Sequence, residues 1–344
     1  MPETGKPNVL KPLFGMTLEE LSALVKEEGL PGFTARQIAD WLYRKEIREI
    51  SEMTNLPVRA REMLSEKYRF GTSEPVKVSA SADGTRKYLF GAGNMKFIET
   101  AYIPDRDRAT LCVSSQVGCK MGCLFCMTGK QGFQGNLTAG EIVNQLCSIP
   151  EWHQVTNIVY MGMGEPFDNL EQVLKSLEIL TAPWGMAMSP RRITVSTIGI
   201  IPGMREFLEK SQCHLAVSLH TPFDAERRNL MPVQNVYPVQ EVVDEIRRHD
   251  FSGQRRVSFE YIMFDGLNDT PDHVKELARM LHGLPCRVNL IRFHPIPGTP
   301  LTGTPDQRIT EFRDALTAKG VFTTIRASRG LDIQAACGLL STMN

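Results

Sequence analysis

The sequence predicts an α/β protein: a partial (β/α)6 TIM-like barrel at 105–344, a small all-α unit at 1–75 and a β-hairpin extension at 76–104 between them. Three observations predict it. Over the last two thirds of the chain, short β-branched runs alternate with helical stretches, which implies parallel strands joined by crossover helices. The first part carries helix start and stop signals. Between the two, apolar residues recur in short alternating runs, the pattern of antiparallel strands.

Taken in order, Pro2, Pro7 and Pro12 make 1–16 an extended arm. Thr17-Leu-Glu-Glu20 has the form of a capping box, Leu18, Leu21, Leu24 and Val25 follow at helical spacing, and Gly29 ends the helix. Thr34-Ala-Arg-Gln37 reads as a second capped start, with Ile38, Trp41 and Leu42 on one side, and a third helix runs from Pro57 to Tyr68. Between Arg36 and Arg69 eight basic residues stand against six acidic ones, a balance that suits a solvated face of paired charges as well as an RNA-gripping one. Lys87–Phe90 and Lys96–Ile103 flank a Gly91–Asn94 turn and read as the hairpin; Glu99, inside the second run, is by default a carboxylate on the wet side of its strand.

Barrel strands are expected at 110–114, 157–161, 193–196, 214–218, 257–261 and 287–291, with a possible extra one at 321–325. Helices are expected near 138–147, 170–181, 202–210, 238–248, 271–282 and 305–318. In such a barrel, reactive loops gather at the C-terminal ends of the strands.

Composition narrows the function classes. A chain of 344 residues with 42% hydrophobic content can bury a full core, and 39 Lys+Arg against 39 Asp+Glu means that any nucleic-acid contact must come from a local patch. Eight cysteines, with no secretory leader and no apolar run of membrane-spanning length, point to a cytoplasmic protein without a membrane partner.

The chemistry centres on Cys119-Lys-Met-Gly-Cys123-Leu-Phe-Cys126. Three thiols within eight residues cannot share one strand face or helix stripe, so they belong to a loop wrapped around something that thiols bind. Structural zinc or a closed iron–sulfur cluster would want a fourth ligand, and no cysteine supplies one at short spacing. With three, one iron of a cubane stays open. The spacing resembles the signature of the radical S-adenosylmethionine (SAM) enzymes, in which Cys119, Cys123 and Cys126 would hold a 4Fe-4S cluster whose open iron chelates SAM. A zinc knuckle borrowing a His or a distant Cys is the competing reading.

After the second barrel strand, Gly162-Met-Gly-Glu-Pro166 is either a plain βα turn or, by the same resemblance, the segment in which Gly164 and Glu165 hold the SAM amino group. Ser196 and Ser218-Leu219-His220 end the next two strands, where hydroxyls serve SAM or cap a helix. Asn289 and His294 flank the sixth strand end within reach of adenine, although a structural histidine is the default. Cys147, Cys213 and Cys286 read as small buried hydrophobes.

Glu99-Thr-Ala-Tyr-Ile-Pro104, Arg108-Ala-Thr-Leu-Cys112-Val-Ser-Ser-Gln-Val-Gly-Cys119, Gly132-Phe133, Arg192-Ile-Thr-Val-Ser196, Leu215-Ala-Val-Ser-Leu-His220 and Ala335-Ala-Cys337-Gly338 tighten the resemblance. Over nearly the whole chain the sequence is similar to the radical SAM adenine methyltransferases that modify 23S ribosomal RNA and transfer RNA. That resemblance implies a helix-hairpin-helix-like RNA-binding unit at the N-terminus, two SAM molecules per turnover, and a one-electron donor such as flavodoxin with its reductase. It implies a monomer acting on the electron-poor carbon 2 of adenine through Cys337, which takes a methyl group and carries it as a methylene. Cys112 would then release the RNA, ending in a Cys112–Cys337 disulfide, with Glu99 as proton acceptor. His294 departs from the family pattern, which often has an Asn there that contacts SAM.

Three alternatives remain: the sister family that methylates carbon 8 of the same ribosomal adenosine, a non-catalytic RNA-binding protein with structural zinc, and a glycyl-radical activating enzyme, which would give Cys112 and Cys337 no purpose.

Overall fold

The computed structural model describes residues 10–251, 253 and 255–342, so most of the expected N-terminal arm, 1–9, lies outside the described residues. Chain order begins with a short strand β1 (Lys11–Pro12), then helices α1 (Leu18–Glu27), α2 (Thr34–Arg44) and α3 (Val58–Lys67), and β2 (Tyr68–Arg69), which pairs with β1. The capping box of α1 is present, Glu20 N donating to Thr17 Oγ1 at 3.2 Å and Thr17 N to Glu20 Oε2 at 2.7 Å. The second expected cap is not: Thr34 sits inside the first turn of α2 and is buried, because the turn already starts with Thr34 N donating to Pro31 O at 2.9 Å.

β3 (Lys77–Ala80), β4 (Arg86–Gly91) and β5 (Phe97–Asp105) form the antiparallel extension, and β6 (Arg108–Cys112) opens the barrel. Then come β7 (Gln116–Val117), α4 (Met127–Gln131), β8 (Gly135–Asn136), α5 (Ala139–Cys147), β9 (Asn157–Tyr160), α6 (Leu170–Thr181), β10 (Ile193–Thr197), α7 (Ile201–Lys210) and β11 (His214–Ser218). They are followed by α8 (Asp224–Leu230), α9 (Val239–Arg247), β12 (Val257–Met263), α10 (Pro271–Met280), β13 (Cys286–Arg292), α11 (Asp306–Ala318) and β14 (Thr323–Ile325). One sheet runs β14-β13-β12-β11-β10-β9-β6-β5-β4-β3, parallel from β14 to β6 and antiparallel from there on. β14 and β3 are its free edges, so the barrel is open, and the optional seventh parallel strand is real.

A continuous apolar core joins Leu21, Leu24 and Ile38 of the helical unit to the inside of the barrel, with β12 buried along its whole length. A second apolar cluster, including Cys123, Phe125, Ile198, Met231 and Phe264, gathers under the cysteine loop. The helical unit is fixed to the barrel by direct contacts: Arg44 Nε donates to Gly185 O at 2.8 Å and Asn144 Nδ2 to Ser73 O at 2.9 Å. Among the described residues no helix is long and apolar enough to cross a membrane.

The tightest junction between the two parts is backbone against backbone. Gly140 in α5 lies so close to the Phe14–Gly15 segment that an added Cβ would meet Phe14 O at 2.6 Å. Neither side of that contact is a flexible side-chain end. Gly140→Ala is therefore expected to cost about 1–3 kcal/mol, as overpacking does, read as a lower midpoint in chemical denaturation. Gly32→Ala, with nothing within 4 Å of the new methyl group, should leave the midpoint in place.

Candidate active site

The C-terminal ends of the parallel strands open onto a cavity of about 450 Å³. Cys119, Cys123 and Cys126 line it, together with Cys112 and Cys337. The cysteine loop follows β6 and is shaped by backbone constraints: Gly118, at φ +69°, lies where a Cβ would fall 1.7 Å from Gly132 O, and Leu124 N donates to Leu230 O at 2.9 Å. No other residue fits at 118. Burial pushes the Cys119 thiol up to about 12 and Cys123 well above its usual range, and the neighbouring thiols add to both shifts. Two sulfurs of the loop, Cys119 and Cys123, thus resist ionising in bare protein, which suits a cationic group that takes up their charge. Among the described residues no three His, Cys, Asp or Glu side chains converge as the ligands of a single metal ion do. The three loop thiols line one cavity, and a 4Fe-4S cluster is a group whose separate irons would take one thiolate each there.

Cys337 reaches this cavity from the far end of the chain because α4 holds it there. Met127 N, at the start of α4, donates to Gly338 O at 2.9 Å, and Thr128 Oγ1 donates to Leu340 O at 2.7 Å. Ser341 N donates to Glu99 Oε2 at 3.0 Å. Cys337 is exposed, but onto the cavity and not onto the outer surface, and that enclosure raises its thiol. Cys112 ends β6, and burial, with Cys337 beside it, pushes it up to about 12. All eight cysteines are free thiols, so the disulfide implied by the resemblance is not found.

Glu99 does not lie on the wet side of its strand. It is 7% exposed, paired with Lys87 Nζ at 2.8 Å, and two residues along β5 from Ala101, the register partner of Cys112. Glu99 and Cys112 thus share a sheet face.

The expected SAM residues divide. Gly164, Ser196, Ser218, His220 and His294 line the cavity. Neither serine caps a helix, since α7 and α8 start after Ile200 and Phe223. Leu219 does not line the cavity: its side chain is fully buried in the core, a place that alternation along the chain assigns it between two cavity-facing neighbours. Asn289 is equally unavailable, donating to Glu260 Oε1 at 2.7 Å and accepting from Thr324 Oγ1 at 2.7 Å. Glu165 borders the cavity, but its carboxylate accepts from Phe167 N (3.1 Å), Thr197 Oγ1 (2.7 Å) and Ile198 N (3.0 Å). Burial pushes it up to about 7. Its carboxylate braces the turn after β9 against β10, where the sequence suggested an ammonium partner.

The N-terminal region matches the model "Ribosomal RNA large subunit methyltransferase N-terminal domain" over residues 11–69, and the barrel matches "Radical SAM superfamily" over 113–281. The chain is 58% identical over 331 residues to "Probable dual-specificity RNA methyltransferase RlmN" of Bacteroides thetaiotaomicron, covering 96% of each chain. It is 42% identical over 342 residues to "Dual-specificity RNA methyltransferase RlmN" of Desulfotalea psychrophila, covering 96% of this chain and 94% of that one. The chain belongs to the RlmN family of radical SAM RNA methyltransferases. A solved radical SAM methyltransferase from Sphaerobacter thermophilus superposes with a TM-score of 0.90 at 42% identity, over 96% of this chain and 99% of that one. This family implies a 4Fe-4S cluster and SAM, which the thiol-lined cavity accommodates.

Several residues of this RlmN-type cavity escaped the sequence reading. Arg326, just past β14, donates from Nη1 to Glu260 Oε2 (3.3 Å) and to Met161 Sδ (3.2 Å), spanning the open barrel from its β14 edge to the turn after β9. Its charge works against the burial that raises both Cys112 and Cys337. Ser218, Glu260, Asn289 and Thr324 lie in one row across β11 to β14, and Ser258 Oγ adds a hydrogen bond to Glu260 Oε1 at 3.1 Å. Only the folded register brings them together. The one sequence signal for Glu260 is a carboxylate inside a mostly apolar strand.

His220 adopts φ +60° and accepts from Ile262 N at Nδ1 (3.0 Å), so its proton sits on Nε2. Burial, aided by Arg227, pushes its pKa down from 6.5 to about 3. The unfolded chain takes up that proton near pH 6.5 and the folded chain does not, so the stability that neutral His220 contributes is present above 6.5 and lost on acidification toward 3. A His220→Asn variant should lose less stability than the parent over that interval, measured by denaturant titration at stepped pH.

Proposed function

We propose that this RlmN-family enzyme methylates carbon 2 of an adenine in 23S ribosomal RNA and, in the same cavity, of an adenine in transfer RNA. The observation that carries the reading is the strapping of the Cys337 segment to α4, the helix whose N-cap is Cys126. A sulfur from the chain's last turn is thereby held in the cavity that Cys112 and the three loop thiols line.

When bound, the cluster and SAM supply the methyl carbon and the one-electron chemistry that an unreactive ring carbon requires, with the electron drawn from a donor of the flavodoxin class. The remaining work falls to the chain. Cys119, Cys123 and Cys126 hold the cluster; Gly164, Ser196, Ser218, His220 and His294 surround SAM, Ser196 and Ser218 offering hydroxyls. Cys337 carries the carbon to the base. Cys112, facing it, detaches the product.

Glu99 takes the ring proton in this scheme. Its carboxylate is occupied by Lys87 and by the Ser341 amide, so its release as a base is tied to movement of the segment that bears Cys337. A shift of that segment would thus bare Oε2 of Glu99, while Lys87 stays on Oε1.

Selectivity for carbon 2 over carbon 8 is decided by digesting RNA from reactions with the reconstituted enzyme and separating 2-methyladenosine from 8-methyladenosine by mass spectrometry. The first product is expected, from both RNA substrates; 8-methyladenosine alone would overturn the assignment. Cys337→Ala is expected to reduce methylation to background. Cys112→Ala should accumulate protein covalently joined to RNA, visible as a slow band in a denaturing gel that nuclease removes. A Cys337→Ala enzyme that still methylates ends the proposal.

A further inference from the structure

Arg227, on α8, is fully buried, and every N–H of its guanidinium is used. Nε donates to Leu219 O (3.3 Å), Nη1 to Gln234 Oε1 (2.7 Å) and Tyr237 O (3.4 Å), and Nη2 to Ile198 O (2.8 Å) and Ser218 O (3.1 Å). All five acceptors are neutral. Among the described residues no carboxylate lies within ion-pair distance; the nearest connection to one runs through Gln234, whose Nε2 donates to the exposed Asp224 at 2.7 Å. The hydrogen bonding is complete and the charge is not balanced.

A buried cation without an anion is costly and is kept where an anion arrives. The surroundings show where. α8 ends at Leu230, whose carbonyl takes the Leu124 amide between Cys123 and Cys126, and Ile198, Leu230 and Cys123 pack in one apolar cluster. Arg227 therefore lies beneath the cysteine loop, close enough for its charge and the Cys123 thiol to act on one another. A 4Fe-4S cluster held by three thiolates is a net anion, and it gains one more negative charge on reduction.

We propose that Arg227 is a positioning residue for the radical chemistry: a fixed counter-charge beneath the Cys123 side of the cluster that favours its reduced form, while its hydrogen bonds hold the ends of β10 and β11 in place around SAM. This rests on the cluster reading of Cys119, Cys123 and Cys126. Arg227 touches no reacting atom, and its effect reaches the reaction through the cluster's potential.

The test is an anaerobic redox titration of the reconstituted full-length protein, following the reduced-cluster signal by electron paramagnetic resonance, with iron content and thermal unfolding measured alongside. Arg227→Gln is expected to shift the midpoint to more negative potential; Arg227→Lys, which keeps the charge but not the five-way hydrogen bonding, should unfold at lower temperature yet titrate near the parent. A Gln variant that binds iron and titrates with the parent overturns the proposal. If the Gln variant does not fold, the Lys variant decides: a midpoint near the parent supports the counter-charge, and one that falls with stability overturns it. A parent protein that binds no iron would instead remove the cluster reading beneath the inference.

Discussion

The hydrogen bonds between α4 and the C-terminal segment are what the rest of the site depends on. A cavity at the strand ends comes with any parallel barrel, and thiols in the loop after the first strand are a local matter of sequence. A fifth thiol more than two hundred residues further on is not local. Met127 N to Gly338 O and Thr128 Oγ1 to Leu340 O place it, the first using an amide that a helix start leaves free in any case. The segment is held at its other end by Asp83, which accepts from Gly330 N at 2.9 Å, and by Ser81, whose Oγ donates to Asp332 at 2.6 Å. Both anchors lie at the turn between β3 and β4. The antiparallel extension thus acts as one post of a strap whose other post is α4.

Electrostatics around the cavity follow from that enclosure. Burial raises Cys112, Cys119, Cys123 and Cys337, and each ionised neighbour makes the next harder to ionise. Two arginines oppose this from different sides. Arg326 is tied to Glu260, so its net influence on Cys112 and Cys337 is tempered by a carboxylate. Among the described residues no carboxylate pairs with Arg227 at ion-pair distance, Asp224 reaching it only through Gln234. One cation is thus matched by the protein and the other left for what the protein binds.

The barrel was legible because its signals are local and repeated: β-branched runs, caps and turn glycines recur with the right period, and even the short edge strand β14 showed. α8 was not, because Asp-Ala-Glu-Arg-Arg-Asn-Leu is too short and too charged to display an apolar stripe, and one of its two buried residues is an arginine. The thiols were legible by spacing and resemblance. Glu165 was placed at the cavity, but its bonding was not foreseen, since a carboxylate's partners depend on which strand lies beside it. Leu219 was read with its neighbours as a unit, although successive side chains at a strand end point opposite ways. Arg326, Glu260 and Asn289 meet only through the register of β12, β13 and β14, which no single stretch of sequence encodes.

The same distinction separates rigid from movable parts. Glu165 and Arg227 are locked by several bonds each into the strand ends, and neither can turn toward a ligand without breaking the loops that shape the cavity. Glu99 and Cys337 are held by few: Lys87 and one amide for the first, backbone bonds on either side for the second. Groups that only shape a site can be fixed in the folded state. Groups that must meet a large substrate, and then let it go, need contacts that can be exchanged, and Ser341 N on Glu99 is such a contact, joining the proposed base to the strap that carries the sulfur.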